Sequence, residues 1–264
     1  MRFSLRCTAR AALIAATLGL AACASAKGPA TDDDMADLDA GPNDPLETVN
    51  RHIFDFNVFL DDYVLVPTAK AYRAVLPQAA RDSVQNFMRN LRSPLILAND
   101  VLQGEPTRAT QTLGRFMTNT LVGVGGLFDV AGHYGVPYHS EDFGQTLAVW
   151  GVPEGPYLML PVFGPSNPRD AVGIGTEFFA DPLNFYLSNI DYDYIPPIRS
   201  AITVVDARSR NIEIIDKIRS TSLDYYATIR SLYRQRRAAE IRNEDAPEPT
   251  SPTSSLPRAF APPG

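Results

Sequence analysis

The sequence predicts a mostly α-helical fold in one domain, residues 44–244, and three observations predict it. Apolar residues recur at helical spacing behind repeated X-Pro starts. Strand-like alternation never runs beyond a few residues. Both ends of the chain lack the apolar content a core requires. At 264 residues the chain can bury a sizeable core, and its 45% hydrophobic and 20% charged content are ordinary for a globular protein. The net charge of -6 argues against nucleic acid, whose phosphates would repel it.

The first 22 residues read as a signal peptide. Arg2, Arg6 and Arg10 precede the apolar run AALIAATLGLAA, too short for a comfortable membrane span. It ends in Leu20-Ala21-Ala22-Cys23, which resembles a bacterial lipobox, so Cys23 is the expected lipidated N-terminus. No aspartate follows it, as in lipoproteins sent to the outer membrane. Cys7 would leave with the signal, so no disulfide is expected within the chain. Several acyl chains on one cysteine give stable anchoring without a transmembrane helix. Residues 23–43 are small, polar and acidic and read as a tether; residues 245–264 are Pro/Ser-rich and read as a disordered tail.

Within the domain the elements follow in order. Asp44-Pro45-Leu46-Glu47 offers an N-cap, a proline at the first helical position and a capping-box glutamate. The helix it opens carries Leu46, Val49, Ile53, Phe56 and Leu60 on one stripe. Phe54 and Val58 form a second ridge, set apart by Asn50, Asn57 and Asp61. An apolar surface on two sides suits a helix between a core and lipid, or one buried on both sides within protein. Pro77 starts a helix over QAARDSVQNFMRNLR. Ser93-Pro94 starts another that Gly104 stops, and Pro106 begins a third, ended by Gly123, Gly125 and Gly126. The stretch from Phe143 to Asp170, broken by Gly and Pro, fits neither helix nor long strand. Such backbone is tolerated only against protein or along a wet cavity. From Ile202 to Arg242 the pattern is ordinary amphipathic helix, with Arg234, Arg236 and Arg237 read as a solvated cluster.

Catalytic and cofactor chemistry finds little support. Gly123-Val124-Gly125-Gly126 lacks the G-x-G-x-x-G register, follows a helix instead of a strand and has no P-loop lysine nearby. Gly164-Pro165-Ser166-Asn167-Pro168 has proline where a nucleophile elbow needs its second glycine, so Ser166 reads as part of a turn. His52, His133 and His139 are scattered, and no metal site is expected from them. Glu141-Asp142 reads as a helix start. Arg199 closes a long segment without Lys or Arg and would meet either a lipid phosphate or one of Asp191, Asp193 and Asp206.

Taken together, DPLETVNRHIFDFN, NFMRNLRSP, LQGEP, RFMTNTLVGVGGLFDVA, DFGQTLAVWGV and GPYLMLPVFGPSNPRD strongly resemble the MlaA (VacJ) family of outer-membrane lipoproteins. The match runs from about Asp44 to Asp170 and fades beyond Tyr186. The resemblance implies a ring- or disc-like helical domain in the inner leaflet of the outer membrane, with irregular Gly/Pro loops lining a pore. It implies phospholipids, a trimeric porin and the periplasmic lipid carrier MlaC as partners, with no cofactor and no enzymatic step. Asn50, Asp55, Phe56, Asn57, Gly123, Gly125, Gly126 and Arg199 are the residues then expected near the lipid path. A non-transporting envelope scaffold that binds porins or acts in surface spreading is the alternative, and a lined opening would distinguish the two. A lipid hydrolase would need Ser166 beside a base.

Overall fold

The structure is a computed structural model that describes residues 43–244; the signal peptide, Cys23 and the tail lie outside the described residues. Among the described residues eleven α-helices and one small hairpin follow in order. They are α1 (Glu47–Leu60), α2 (Val66–Val75), α3 (Gln78–Leu102), α4 (Pro106–Leu121), α5 (Val130–His133) and α6 (Phe143–Val149). Then come β1 (Leu158–Leu160), β2 (Gly164–Ser166), α7 (Pro168–Ala180), α8 (Pro182–Asn189), α9 (Ile195–Arg210), α10 (Ile212–Thr221) and α11 (Tyr225–Ile241). The mostly helical expectation holds.

A π-helical turn, Asp61–Leu65, joins α1 to α2 without a break. Pro67 has no N–H for the carbonyl four residues back, and the widened turn just before it absorbs the misfit. Asp44 does not cap α1 with its side chain. Its carboxylate instead accepts from Asn50, Tyr226 and Arg230, which binds the chain entry to α11.

Pro94 begins no new helix. It sits inside the 25-residue α3, where Ser93 turns its hydroxyl back onto the carbonyl of Arg89. One lost backbone bond is tolerated there because α3 is held along its length against α4. Gly104, at φ +76°, does end the helix. Pro106 opens α4 at its first turn as the sequence suggests.

The Phe143–Asp170 stretch is more ordered than its composition suggests. Asp142 and Gln145 form a capping box that starts α6. Strands β1 and β2 then pair antiparallel, with Leu158 opposite Ser166 and Leu160 opposite Gly164. Gly144 and Gly173 let α6 and α7 meet backbone to backbone: a Cβ on Gly173 would lie 2.6 Å from the Gly144 nitrogen. A small apolar core of Phe54, Tyr157, Met159 and Tyr226 sits between α1, the hairpin and α11. Its rings meet edge to face, with Phe54 and Tyr226 centroids 5.5 Å apart.

Candidate functional site

Burial in this chain runs against the usual pattern. Among the described residues ten apolar side chains are buried, against twenty polar or charged ones. Large apolar side chains are exposed on α1 (Val49, Phe56, Phe59), at the end of α4 and its turn (Leu121, Val122, Phe128), at the hairpin tip (Val162, Phe163) and on α7 and α8 (Phe178, Phe185). Water penalises such a surface by about 25 cal/mol per Å² of apolar area, whereas hydrocarbon does not. No described helix is long and apolar enough to cross a membrane.

The first helix divides its two apolar sides as a boundary element does. Phe54 is buried in the core, with Ile53 and Val58 packed against it. Leu46, Val49, Phe56 and Phe59 on the other side are 45–55% exposed. Asp55 is exposed beside Phe56. Asn50 and Asn57 stand two turns apart and hold β1 along its free edge. The Asn50 amide donates to the Tyr157 carbonyl at 3.1 Å and accepts from the Met159 N–H at 2.9 Å. Asn57 does the same for Leu160 O and Val162 N, at 2.9 and 2.8 Å. A helix thereby satisfies a strand edge through two side chains.

The glycine turn after α4 has distinct reasons at each position. A Cβ on Gly123 would lie 2.4 Å from the carbonyl oxygen of Phe128. Gly126 combines φ +95° with a would-be Cβ 2.5 Å from Asn90. Gly125, at φ +70°, faces open space and is required only by its backbone angle. Val124 between them adopts φ 55°, which strains a β-branched residue. Asn90 donates from its amide to Thr120 and Gly125, tying the turn to α3. Arg115 donates from Nη2 to both carboxylate oxygens of Asp129, at 2.8 and 2.9 Å, just beyond the turn. Burial would raise the Asp129 pKa, but the hydrogen bonds from Arg115, Gly132 and Asn119 leave it lowered.

Arg199 on α9 pairs with Asp181, the residue that caps α8, and reaches Asn184 at 3.1 Å. Its carboxylate partner is therefore none of the three expected. Asp206 is taken instead by Arg210, at 2.9 Å. The presumed solvated arginines also differ. Arg236 is exposed, but Arg237 is buried and bridges Asp142 (2.6 Å) and Asp170 (2.8 Å), fixing α11 to the starts of α6 and α7. Desolvation by burial acts to raise the Asp142 pKa, and Arg237 more than offsets it, so the group is held below its ordinary value. Helical periodicity put Arg237 among charges; only the packing of three helices made it internal.

Ser166 ends β2 and donates to the carbonyl of Asn167. His133 is exposed against Tyr134. His139, by contrast, is drawn to Asp100, 39 residues away in the sequence, and to Glu141 in its own loop.

The sequence matches the MlaA lipoprotein family over residues 42–240. An uncharacterised protein of Rickettsia bellii is 35% identical over 236 residues, covering 85% of this chain and 91% of its own. The intermembrane phospholipid transport system lipoprotein MlaA of Escherichia coli K12 is 34% identical over 200 residues, 74% of this chain and 77% of its own. A structure solved for the structural basis of bacterial outer-membrane lipid asymmetry superposes with TM-score 0.67 at 35% identity, covering 75% of this chain and 98% of its own. A chain matched by that family almost from end to end of its described part, and by that fold, belongs to the MlaA lipoprotein family.

Proposed function

We propose that this chain, as a component of an intermembrane phospholipid transport system, draws mislocalised phospholipids out of the outer leaflet of the outer membrane. It passes them along an amphipathic path to the periplasmic carrier MlaC and so preserves lipid asymmetry. Lipid on Cys23 anchors it on the periplasmic, inner-leaflet side, beside a trimeric porin. The observation that carries this reading is the inverted burial: polar groups inside, aromatic and aliphatic side chains outside.

The physical need is large. A two-chain lipid exposes about thirty methylenes, at about 0.8 kcal/mol each, when it passes through water. A charged headgroup dragged through hydrocarbon is also costly. An apolar flank joined to a polar lining lowers both terms. Phe56 and Asp55, exposed side by side on α1, supply both characters. Asn50 and Asn57 place the hairpin next to them. Gly123, Gly125 and Gly126 allow the turn to pack closely and to move, and Arg199, held by Asp181, offers part of its charge to a phosphate.

The test is the phospholipid content of the outer leaflet in cells lacking the gene, complemented with wild type or with Gly126→Val. Deletion should raise it and wild type restore it. The variant should reach the membrane yet restore it poorly. An unchanged, phospholipid-free surface in the deletion strain rules the reading out.

A further inference from the structure

Asp100 at the end of α3, His139 in the loop before α6 and Glu141 beside the α6 N-cap converge in one buried cluster. One ligand atom from each lies within 4.8 Å of the other two. His139 Nε2 is 3.1 Å from Asp100 Oδ1. The side chains of Asp100 and Glu141 are each 1% exposed and that of His139 9%.

The facing groups leave a charge unmatched. Arg108 donates to Glu141 Oε1 at 2.7 Å, and Gln103 donates to Oε2 at 2.9 Å. The Thr112 hydroxyl donates to Asp100 Oδ2 at 2.6 Å and lies 3.1 Å from His139 Nε2. Among these contacts Arg108 is the one permanent cation, and it pairs with Glu141 and not with Asp100. With a neutral imidazole, one buried negative charge has no counter-charge, a costly condition.

We propose that Asp100, His139 and Glu141 hold one divalent cation, and that the ligand chemistry selects zinc. One imidazole nitrogen and two carboxylate oxygens suit zinc's preference, whereas calcium and magnesium favour larger all-oxygen shells. Ligand atoms around tetrahedral zinc stand about 3.4 Å apart, close to the separation that Asp100 and His139 already have. Thr112 or a water completes four. The metal binds Nε2 of the neutral imidazole, whose single ring proton then sits on Nδ1. Arg108 and Gln103 keep their bonds to Glu141 through its remaining lone pairs and orient it. The ion would tie α3 to the loop that begins α6.

The test uses untagged, full-length lipoprotein in detergent, stripped with EDTA and titrated with zinc chloride. Bound metal is read by elemental analysis and the thermal midpoint is followed in parallel. One zinc per chain is expected, with a midpoint rise that EDTA reverses. His139→Gln, whose amide still reaches Asp100, should lose at least ten-fold in affinity, while His133→Gln binds as wild type. Should His139→Gln fail to fold, Glu141→Gln serves in its place. Wild type that takes up no more zinc than these variants, or that binds calcium in preference, overturns the proposal.

Discussion

Asn50 and Asn57 do the same job with the same atoms, yet truncating them to alanine should have unequal consequences. Asn50→Ala strips partners from the Met159 N–H and the Tyr157 carbonyl, in residues 2% and 4% exposed. It also removes a 2.8 Å bond to Asp44. Each buried group left unpaired costs about 1–3 kcal/mol, so the loss should be about 2–4 kcal/mol with partial relaxation. Asn57→Ala frees Leu160 O and Val162 N near the hairpin tip, where Val162 is 73% exposed and water can take over. That loss should be about 1 kcal/mol. For a domain of this size each kcal/mol moves the thermal midpoint by about 2–4 °C. The midpoint in one detergent, followed by circular dichroism, should therefore fall by about 5–15 °C for Asn50→Ala and about 2–4 °C for Asn57→Ala. Equal shifts, or a larger one for Asn57, would refute the argument that burial of the strand edge sets the magnitude.

Two further outcomes follow from the ion pairs. Arg237→Leu leaves Asp142 and Asp170 without their shared cation and should cost about 3–5 kcal/mol; exposed Arg236→Leu should be nearly neutral, and denaturation midpoints compare them. Asp224 is held down to about 2, first by its hydrogen bonds from Arg51 and then by the Ala227 N–H. Its folded pKa is depressed, so its contribution is present above the unfolded value of about 4 and is lost as pH falls towards 2. The stability gap between wild type and Asp224→Asn, which keeps the cap on α11, should narrow over that window when midpoints are taken from pH 6 down.

Local chemistry sufficed for much of this protein. Pro106 and Gly104 mark helix ends that the chain does adopt, because fixed φ angles and missing N–H groups act within a few residues. That α1 is apolar on two sides was legible from spacing, but Ile53, read on one stripe with Val49 and Phe56, packs with Phe54 against the core. The family was legible too, since its motifs stand in one order along the chain. Other outcomes depended on what lay opposite. Pro94 stays inside α3 because α4 packs along it. Asp44 abandons its capping role for Arg230 and Tyr226, 186 and 182 residues away. Arg199 finds Asp181 instead of its expected acids, and Arg237 becomes internal only when α6, α7 and α11 converge. His139 and Glu141, from one loop, meet Asp100 from the far end of α3. The sequence by itself determined that the chain is mostly helical, where Gly104 and Pro106 end and begin helices, and how much apolar surface each helix must place somewhere. Tertiary structure alone decided which charges meet, because the energy of a buried ion pair depends on a partner's position and desolvation, and neither is encoded within a few residues of either member.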